Sequence, residues 1–139
     1  MTNRPCVLAI DPGRAKCGVA LVDQSGAVLH RSIEPTSSLA SLVQRICSTH
    51  APQAILIGNG TASQFVVESV RAEQPNVTIE VVAEEHTSEL ARARLLAAQK
   101  PKMWQRLIPR GLWAPAADYD DIVAVILCER WWAAHASRS

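Results

Sequence analysis

The chain has 139 residues, of which 48% are apolar, so it is long enough for one folded domain with a core and too apolar for a disordered chain. Its formal net charge of +1 excludes binding of nucleic acid through overall basicity, so any such surface must be local. No apolar run is long enough to span a bilayer, and the four cysteines, which form no CxxC pair, indicate buried thiols in a reducing compartment. We therefore predict a single cytoplasmic domain over residues 1–139.

The N-terminal quarter predicts a meander of three strands. Residues 7–10, VLAI, are apolar and rich in strand formers, and the turn residues DPG at 11–13 end the run. Residues 17–22 are apolar again, so the chain doubles back as a hairpin. After a turn at 23–26, residues 27–34 form the third strand.

Asp11 lies where the first strand is predicted to end. The positive charges of Arg14 and Lys16 follow it in the turn. An anionic group together with a metal ion would suit this corner. The residue could also simply open a turn before the proline, and the local pattern leaves both interpretations open.

The middle of the chain alternates helices with short apolar strands. A helix after Pro35 is indicated by apolar residues at the spacing of one helix face, which are Leu39, Leu42, Val43, Ile46 and Cys47. Residues 54–57, AILI, predict a strand that is covered on both faces. Residues 77–83 predict a fifth strand, and Thr87 can cap a helix that runs to about Lys100.

Residues 58–64, GNGTASQ, connect the fourth strand to the next helix. Thr61 and Gln64 have the spacing of a capping box, so this helix should begin there. A glycine-rich turn that leads into a helix N-terminus favours an anion, which makes Asn59 and Thr61 candidates for phosphate contacts. A plain strand-to-helix loop explains the same residues.

The predicted order of strands and helices gives a mixed sheet with helices on its faces. The parallel strands then lie beside the first strand, and Asp11 lies near the centre of the sheet. Because parallel strands direct their carboxyl ends to one edge, an acid from Glu84-Glu85 after the fifth strand should lie near Asp11.

A second group of acids, Asp118, Asp120 and Asp121, opens an apolar helix over 122–132. Acids in a first turn can simply cap the helix and offset its dipole, but three among four residues are more than a cap needs, so metal binding is the other interpretation. Carboxylates are suitable ligands for Mg²⁺ or Mn²⁺, and two such ions can promote hydrolysis of a phosphodiester.

The segment before this helix combines cations and aromatic rings, namely Lys100, Lys102, Arg106 and Arg110 with Trp104 and Trp113. Such a mixture suits single-stranded or branched nucleic acid, with cations on phosphates and rings on unstacked bases. An irregular loop whose tryptophans cover the core would have the same composition. His86 could contact phosphate or act as a proton donor.

The run DPG after an apolar strand, followed by CGVALVD, resembles the opening of the RuvC-like Holliday-junction resolvases and of the YqgF family within that group. The resemblance implies an α/β fold of the RNase H type, a five-stranded mixed sheet in the order 3-2-1-4-5 with helices on both faces. It also implies a metal-dependent nuclease that uses two Mg²⁺ or Mn²⁺ ions. The catalytic and metal-binding residues implied are Asp11, Glu85, Asp118 and Asp121.

The sequence agrees with more than one nucleic-acid substrate and more than one set of metal ligands. YqgF resemblance implies processing of pre-16S rRNA, and RuvC resemblance implies cutting of DNA junctions, so the partner is single-stranded or structured RNA, or branched or single-stranded DNA. Asp120 could replace Asp118 or Asp121, and Glu84 could replace Glu85. Such a domain would act without a membrane, as a monomer or homodimer.

Four features support other interpretations. His86 stands where YqgF proteins have arginine, and Gly58 to Gly60 stand where the resolvases have an acid. The run GNGTAS resembles the YqgF-like domain of Tex transcription factors, which favours a non-catalytic nucleic-acid-binding domain. An actin-like sugar kinase or ATPase also begins with a strand that ends in an Asp-x-Gly turn, but it needs two such domains around the nucleotide.

Overall fold

The computed structural model describes residues 4–60, 62–98 and 120–136. The strands are β1 (Cys6–Asp11), β2 (Lys16–Asp23), β3 (Val28–Pro35), β4 (Ile55–Gly58) and β5 (Ile79–Val82). The helices are α1 (Leu39–His50), α2 (Ser63–Glu73), α3 (Thr87–Ala98) and α4 (Asp120–Ala136). A short 3-10 turn, Thr36–Ser38, joins β3 to α1.

The five strands form one mixed sheet in the order β3-β2-β1-β4-β5. β1 pairs antiparallel with β2, and β2 pairs antiparallel with β3. On the other side β1 pairs parallel with β4, and β4 pairs parallel with β5. The predicted α/β class and strand order are therefore confirmed, and β1 is the central strand.

Both faces of the sheet are covered by helices. Because successive residues of a strand point to opposite faces, Leu8 and Ile10 pack with α1 and α2, whereas Val7 and Ala9 pack with α4. α3 packs against α4 on the second face through Ala91. β1 is buried from both sides, which fixes the position of the acid at its carboxyl end.

The start of α2 differs from the predicted capping box. The helix begins at Ser63, and its N-cap is Ala62, which makes no side-chain capping bond. The amide of Gln64 points along the helix to Glu68, with Nε2 and Oε1 3.5 Å apart, so it does not reach back to the helix start. The capping-box role of Gln64 was wrong because the side chain pairs one turn further on.

No helix within the described residues has both the length and the apolar character needed to cross a bilayer. The most apolar of them, α4, covers the sheet with its buried residues.

The turn between β2 and β3 depends on the buried carboxylate of Asp23, which is 2% exposed. Its Oδ1 accepts hydrogen bonds from the Ser25 hydroxyl at 2.6 Å, from the Ser25 amide at 2.9 Å and from the Ala27 amide at 3.0 Å. These bonds, chiefly the one from the Ser25 side chain, hold the pKa of Asp23 below its ordinary value. The ionised carboxylate thus stabilises the hairpin.

We expect Asp23→Ala to lower the free energy of unfolding at neutral pH by about 1–3 kcal/mol, because two backbone N–H groups lose their acceptor. The folded-state pKa is depressed, so the stabilisation is present above the unfolded pKa and is lost as the pH falls through the folded pKa. Urea unfolding of wild type and variant across acidic pH measures both effects. The exposed Glu73→Ala is the control, and a difference that stays constant with pH would contradict the role of the charge.

Candidate functional site

Asp11 is the last residue of β1, at the edge of the sheet where β4 and β5 also end. The parallel register pairs Ile10 with Ile57 and Gly58 with Val82, so the residues after these strands meet at the same edge. This edge of parallel strands is where ligands bind in open α/β sheets.

Glu84, two residues beyond β5, brings its carboxylate to Asp11. The two side chains share a hydrogen bond, and Oε1 of Glu84 is buried without a hydrogen-bond partner among the described residues. Gly58 makes this approach possible, since a Cβ there would collide with the Glu84 carboxylate. A Cβ at Gly60 would lie 3.0 Å from Oε2 of Glu84. The space that a side chain at the end of β4 would fill is therefore taken by a carboxylate from β5.

The backbone of Glu84 is held from both sides. Its amide donates a hydrogen bond to Oδ1 of Asn59 at 3.1 Å, and the amide of Asn59 donates to the Val82 carbonyl at 2.9 Å. The hydroxyl of Thr87 donates to the Glu84 carbonyl at 2.6 Å. Asn59, a predicted phosphate contact, thus uses its side-chain carbonyl to position Glu84.

Glu85, the residue after Glu84, is exposed. The predicted site had Glu85 as ligand with Glu84 as its alternative, and the structure brings Glu84 to Asp11 instead. The reason is the tight turn after β5, in which Asn59 and Thr87 fix Glu84 against the sheet edge. Glu85, the next residue, then faces solvent.

The N-terminus of α4 reaches the same site over Gly18. Gly18 lies opposite Asp11 in the β1–β2 ladder, and a Cβ there would collide with the backbone of Asp120. This close approach brings the negative charge of Asp120 near Asp11. Asp121 pairs with β3, since its Oδ2 lies 3.1 Å from Nε of Arg31 and its side chain is 17% exposed.

Burial and these neighbours change the chemistry of Asp11. Desolvation, then the hydrogen bond with Glu84, then the charges of Glu84 and Asp120 raise the pKa of Asp11 to about 8. Crowded carboxylates cannot all ionise without a counter-ion, so the site holds a proton at neutral pH. A cation among the carboxylates would remove the repulsion and release that proton.

Of the other predicted site residues, two lie beside Asp11, one follows β5, and the rest lie outside the described residues. Arg14 and Lys16 are exposed in and beside the turn that follows Asp11. His86 has a left-handed φ of 64°, and its ring is 74% exposed with Nδ1 3.6 Å from Oε2 of Glu89. The other predicted site residues lie outside the described residues, namely Thr61, Lys100, Lys102, Trp104, Arg106, Arg110 and Asp118.

The carboxylates beside Asp11 form a small set of possible metal ligands. In the part of the chain that the structure describes, no three His, Cys, Asp or Glu side chains are grouped closely enough to hold an ion. The Asp11–Glu84 pair is a smaller site, and Mg²⁺ is commonly bound by one or two carboxylates that leave room for water and phosphate. The buried Oε1 of Glu84 is a hard oxygen donor, and no group in residues 4–60, 62–98 or 120–136 forms a hydrogen bond with it. The pair therefore fits Mg²⁺ or Mn²⁺.

Sequence reasoning missed the two glycines that build this site. Gly18 and Gly58 both lie within or at the end of strands, where a glycine indicates the close approach of another group. That signal was present in the sequence. It could not indicate which group approaches, because the partners are 26 or more positions away along the chain.

Comparison with known sequences finds one family and a partial relative. The profile of the Tex protein YqgF-like domain matches residues 5–105. The uncharacterized protein YdcI of Bacillus subtilis (strain 168) is 30% identical over 106 residues, which cover 68% of this chain and 15% of that protein. The chain thus spans a small part of the length of this relative.

Comparison with solved structures finds a similar fold over nearly the whole chain. RuvC of T. thermophilus in complex with a Holliday junction substrate superimposes with a TM-score of 0.60 and 14% identity, covering 96% of each chain. A second Thermus thermophilus RuvC structure gives a TM-score of 0.59 at 14% identity, covering 94% of this chain and 96% of that one. At this identity the likeness shows the fold.

We expect Asp11→Asn to change how stability depends on pH in the presence of EDTA. The pKa of Asp11 is about 8 in the folded chain against an ordinary value of 3.8. Between these values the folded wild type keeps a proton that the unfolded chain releases, so its free energy of unfolding falls as the pH rises. Asp11→Asn should flatten this fall and be the more stable form near pH 8.

Urea unfolding from about pH 5 to about pH 9 tests this expectation. Asp23→Asn is the matched control, because Asp23 is a well-bonded carboxylate whose amide replacement should lower stability. Identical pH slopes for wild type and Asp11→Asn would contradict the raised pKa.

We expect Gly58→Ala to separate Glu84 from Asp11 without unfolding the protein. The new Cβ would meet the flexible Glu84 side chain, which can move into solvent, so the cost in stability should stay below about 1 kcal/mol. The pKa of Asp11, followed by NMR titration of its carboxyl carbon, should fall. Gly18→Ala should instead cost about 1–3 kcal/mol, because its Cβ meets the Asp120 backbone. An unchanged Asp11 titration in Gly58→Ala would refute the packing argument.

Proposed function

Because the chain belongs to the Tex YqgF-like domain family and has the RuvC-like, RNase H-type fold, we propose that it is a metal-dependent nuclease domain that hydrolyses phosphodiester bonds of RNA or DNA. The observation that carries the proposal is the half-buried pair Asp11–Glu84 at the ligand-binding edge of the sheet, in which Glu84 raises the pKa of Asp11. A carboxylate pair that needs a counter-ion is poorly explained by stability alone, since it costs free energy when the site is empty.

In this proposal Asp11 and Glu84 hold Mg²⁺ or Mn²⁺, with Asp120 contributing negative charge from α4. Asp118 and a second ion complete the two-metal arrangement implied by the family resemblance. Bound ions supply charge stabilisation to the phosphate and lower the pKa of a water molecule. Asn59 and Thr87 act on Glu84, since their hydrogen bonds keep its carboxylate at the sheet edge. Asp121 is paired with Arg31, and Glu85 is exposed to solvent.

The proposed substrate is nucleic acid that is single-stranded, structured or branched. The RuvC structure of similar fold contains a Holliday junction, and a related nucleic acid is the proposal for this chain. Arg14 and Lys16 would contact phosphates beside Asp11. Lys100, Lys102, Arg106 and Arg110 would extend that contact, and Trp104 would stack on a base. A role in pre-16S rRNA processing is the proposed biological setting, and cutting of DNA junctions is its alternative.

A second candidate is a non-catalytic nucleic-acid-binding domain, as the match to the Tex family suggests. The observation in its favour lies at the end of β4, where Gly58, Asn59 and Gly60 replace a carboxylate. The side chain of Asn59 is already engaged with the backbone of Glu84, so it does not replace the missing acid. In a non-catalytic domain the acids would bind an ion that only stabilises the fold, or they would have no function.

We expect cleavage of single-stranded RNA, single-stranded DNA or a four-way junction in Mg²⁺ or Mn²⁺, and its loss in Glu84→Gln. The loss should be at least about 100-fold, since even residues that only support metal ligands contribute about 10–100-fold. Glu85→Gln is the matched control and should keep the wild-type rate, because Glu85 is exposed.

Binding measured in Ca²⁺ separates the two candidates. Wild-type protein that binds these substrates without cutting any of them would support the non-catalytic domain. Equal loss of cleavage in Glu84→Gln and Glu85→Gln would show that the pair at Asp11 is not the site.

A further inference from the structure

A cavity of about 180 Å³ opens between the edge strand β3 and helix α1. The residues that line it are Leu29, His30, Leu42, Arg45, Ile46, Thr49 and His50. Apolar side chains form one part of its wall and nitrogen-bearing side chains the other. It lies outside the acid site, and nothing in the proposed nuclease reaction uses it.

A bulge in β3 turns Leu29 toward this cavity. The β2–β3 register pairs Leu21 with His30 and Val22 with Val28, so Leu29 is an extra residue with no opposite partner. In a regular strand, residues 29 and 30 would point to opposite faces, yet Leu29 and His30 line the same cavity. Bulges are a recognised way to re-aim one side chain of a strand.

The cavity is basic on its polar side. His30, Arg45 and His50 line it, and no Asp or Glu does. Within residues 4–60, 62–98 and 120–136, no carboxylate forms an ion pair with Arg45. His30 uses Nε2 in a 2.7 Å hydrogen bond with Ser32 Oγ, which leaves its Nδ1 for another group. A ligand with negative charge would complement this wall.

β3 is the edge of the sheet and carries apolar side chains in solvent. Val28 is 47% exposed and Leu29 is 42% exposed, and both lie at the start of the strand beside the cavity. On its outer side an edge strand presents N–H and C=O groups that can pair with another chain. The described residues provide β3 with one neighbour, β2, on its inner side.

The cavity and the acid site lie at opposite ends of the sheet. The carbonyl of His50 accepts a weak bond from the Cys6 thiol at 3.7 Å, at the start of β1, whereas Asp11 is at its end. Five residue steps along β1 place Cys6 and Asp11 about 16 Å apart. A ligand in the cavity would therefore leave the acid edge accessible.

We propose that β3 and this cavity form a docking surface for an extended, acidic segment of a partner protein. The segment adds to β3 as a further strand, and one of its carboxylates sits against His30, Arg45 and His50 while apolar side chains cover Val28 and Leu29. Strand addition derives affinity from main-chain hydrogen bonds and specificity from pockets for alternate side chains. The apolar wall and the strand edge favour a peptide over a phosphate backbone, which would use neither feature.

The test uses the full chain, isotope-labelled for NMR, with two capped peptides, Ac-SVEVES-NH2 and Ac-SVKVKS-NH2, at millimolar concentrations. The acidic peptide should shift amides of β3 and α1 and leave those around Asp11 unchanged, and the basic peptide should bind weakly or not at all. Arg45→Gln should weaken the acidic peptide at least about tenfold, because it removes the fixed charge of the pocket. Arg71→Gln, an exposed arginine on α2, is the matched control and should bind normally.

Two further ligands complete the test, namely an N-methylated form of the acidic peptide and short oligouridine. N-methylation of the peptide at alternate residues removes donors needed for strand pairing and should abolish binding. If N-methylation has no effect, strand addition is wrong. No shift on β3, equal binding of both peptides, or tighter Arg45-dependent binding of short oligouridine at this cavity would each overturn the proposal.

Discussion

Two carboxylates held side by side at the end of a buried strand are the constraint on which this structure depends. Asp11 cannot move away from Glu84, because β1 is central in the sheet and is covered by helices on both faces. The repulsion and the loss of solvent are large enough to raise the pKa of Asp11 to about 8. The pair therefore lowers the stability of the protein at this edge of the sheet. Such a cost is common where strain or charge serves a function.

Two glycines, which have no Cβ, provide the space in which acids approach this pair. At Gly58 the missing Cβ leaves space for the Glu84 carboxylate, and at Gly18 it lets the backbone of α4 lie against β2. Both positions bring an acid from a distant part of the chain to Asp11. Asn59 and Thr87 then fix the backbone of Glu84, so the position of its carboxylate is set by hydrogen bonds as well as by space.

The family match and the acid pair favour different functions for this domain. The residues on which this difference depends all lie at one edge of the sheet. Membership in the Tex YqgF-like family and the absence of an acid at the end of β4 favour the proposed non-catalytic domain. The Asp11–Glu84 pair agrees with a domain that also binds a metal ion. The carboxylate of Glu84, which follows β5, fills the space that a side chain at Gly58 would occupy, so an acid is present at this edge although β4 ends without one. The proposed docking surface at β3 lies at the other end of the sheet, so both could operate together.

The sequence by itself determined the fold and the first acid. Apolar runs at strand spacing, a helical face from Leu39 to Cys47 and the DPG turn lead to the observed order of elements, because these signals are local and repeat over several residues. Asp11 was identifiable because it ends the first apolar strand. Only the tertiary structure showed that Glu84 rather than Glu85 lies beside Asp11, and that Asp121 pairs with Arg31. Neighbouring residues after a strand, or in the first turn of a helix, differ in direction by about 100–180°, and that direction depends on contacts with Gly18, Gly58 and Arg31, which are distant in sequence.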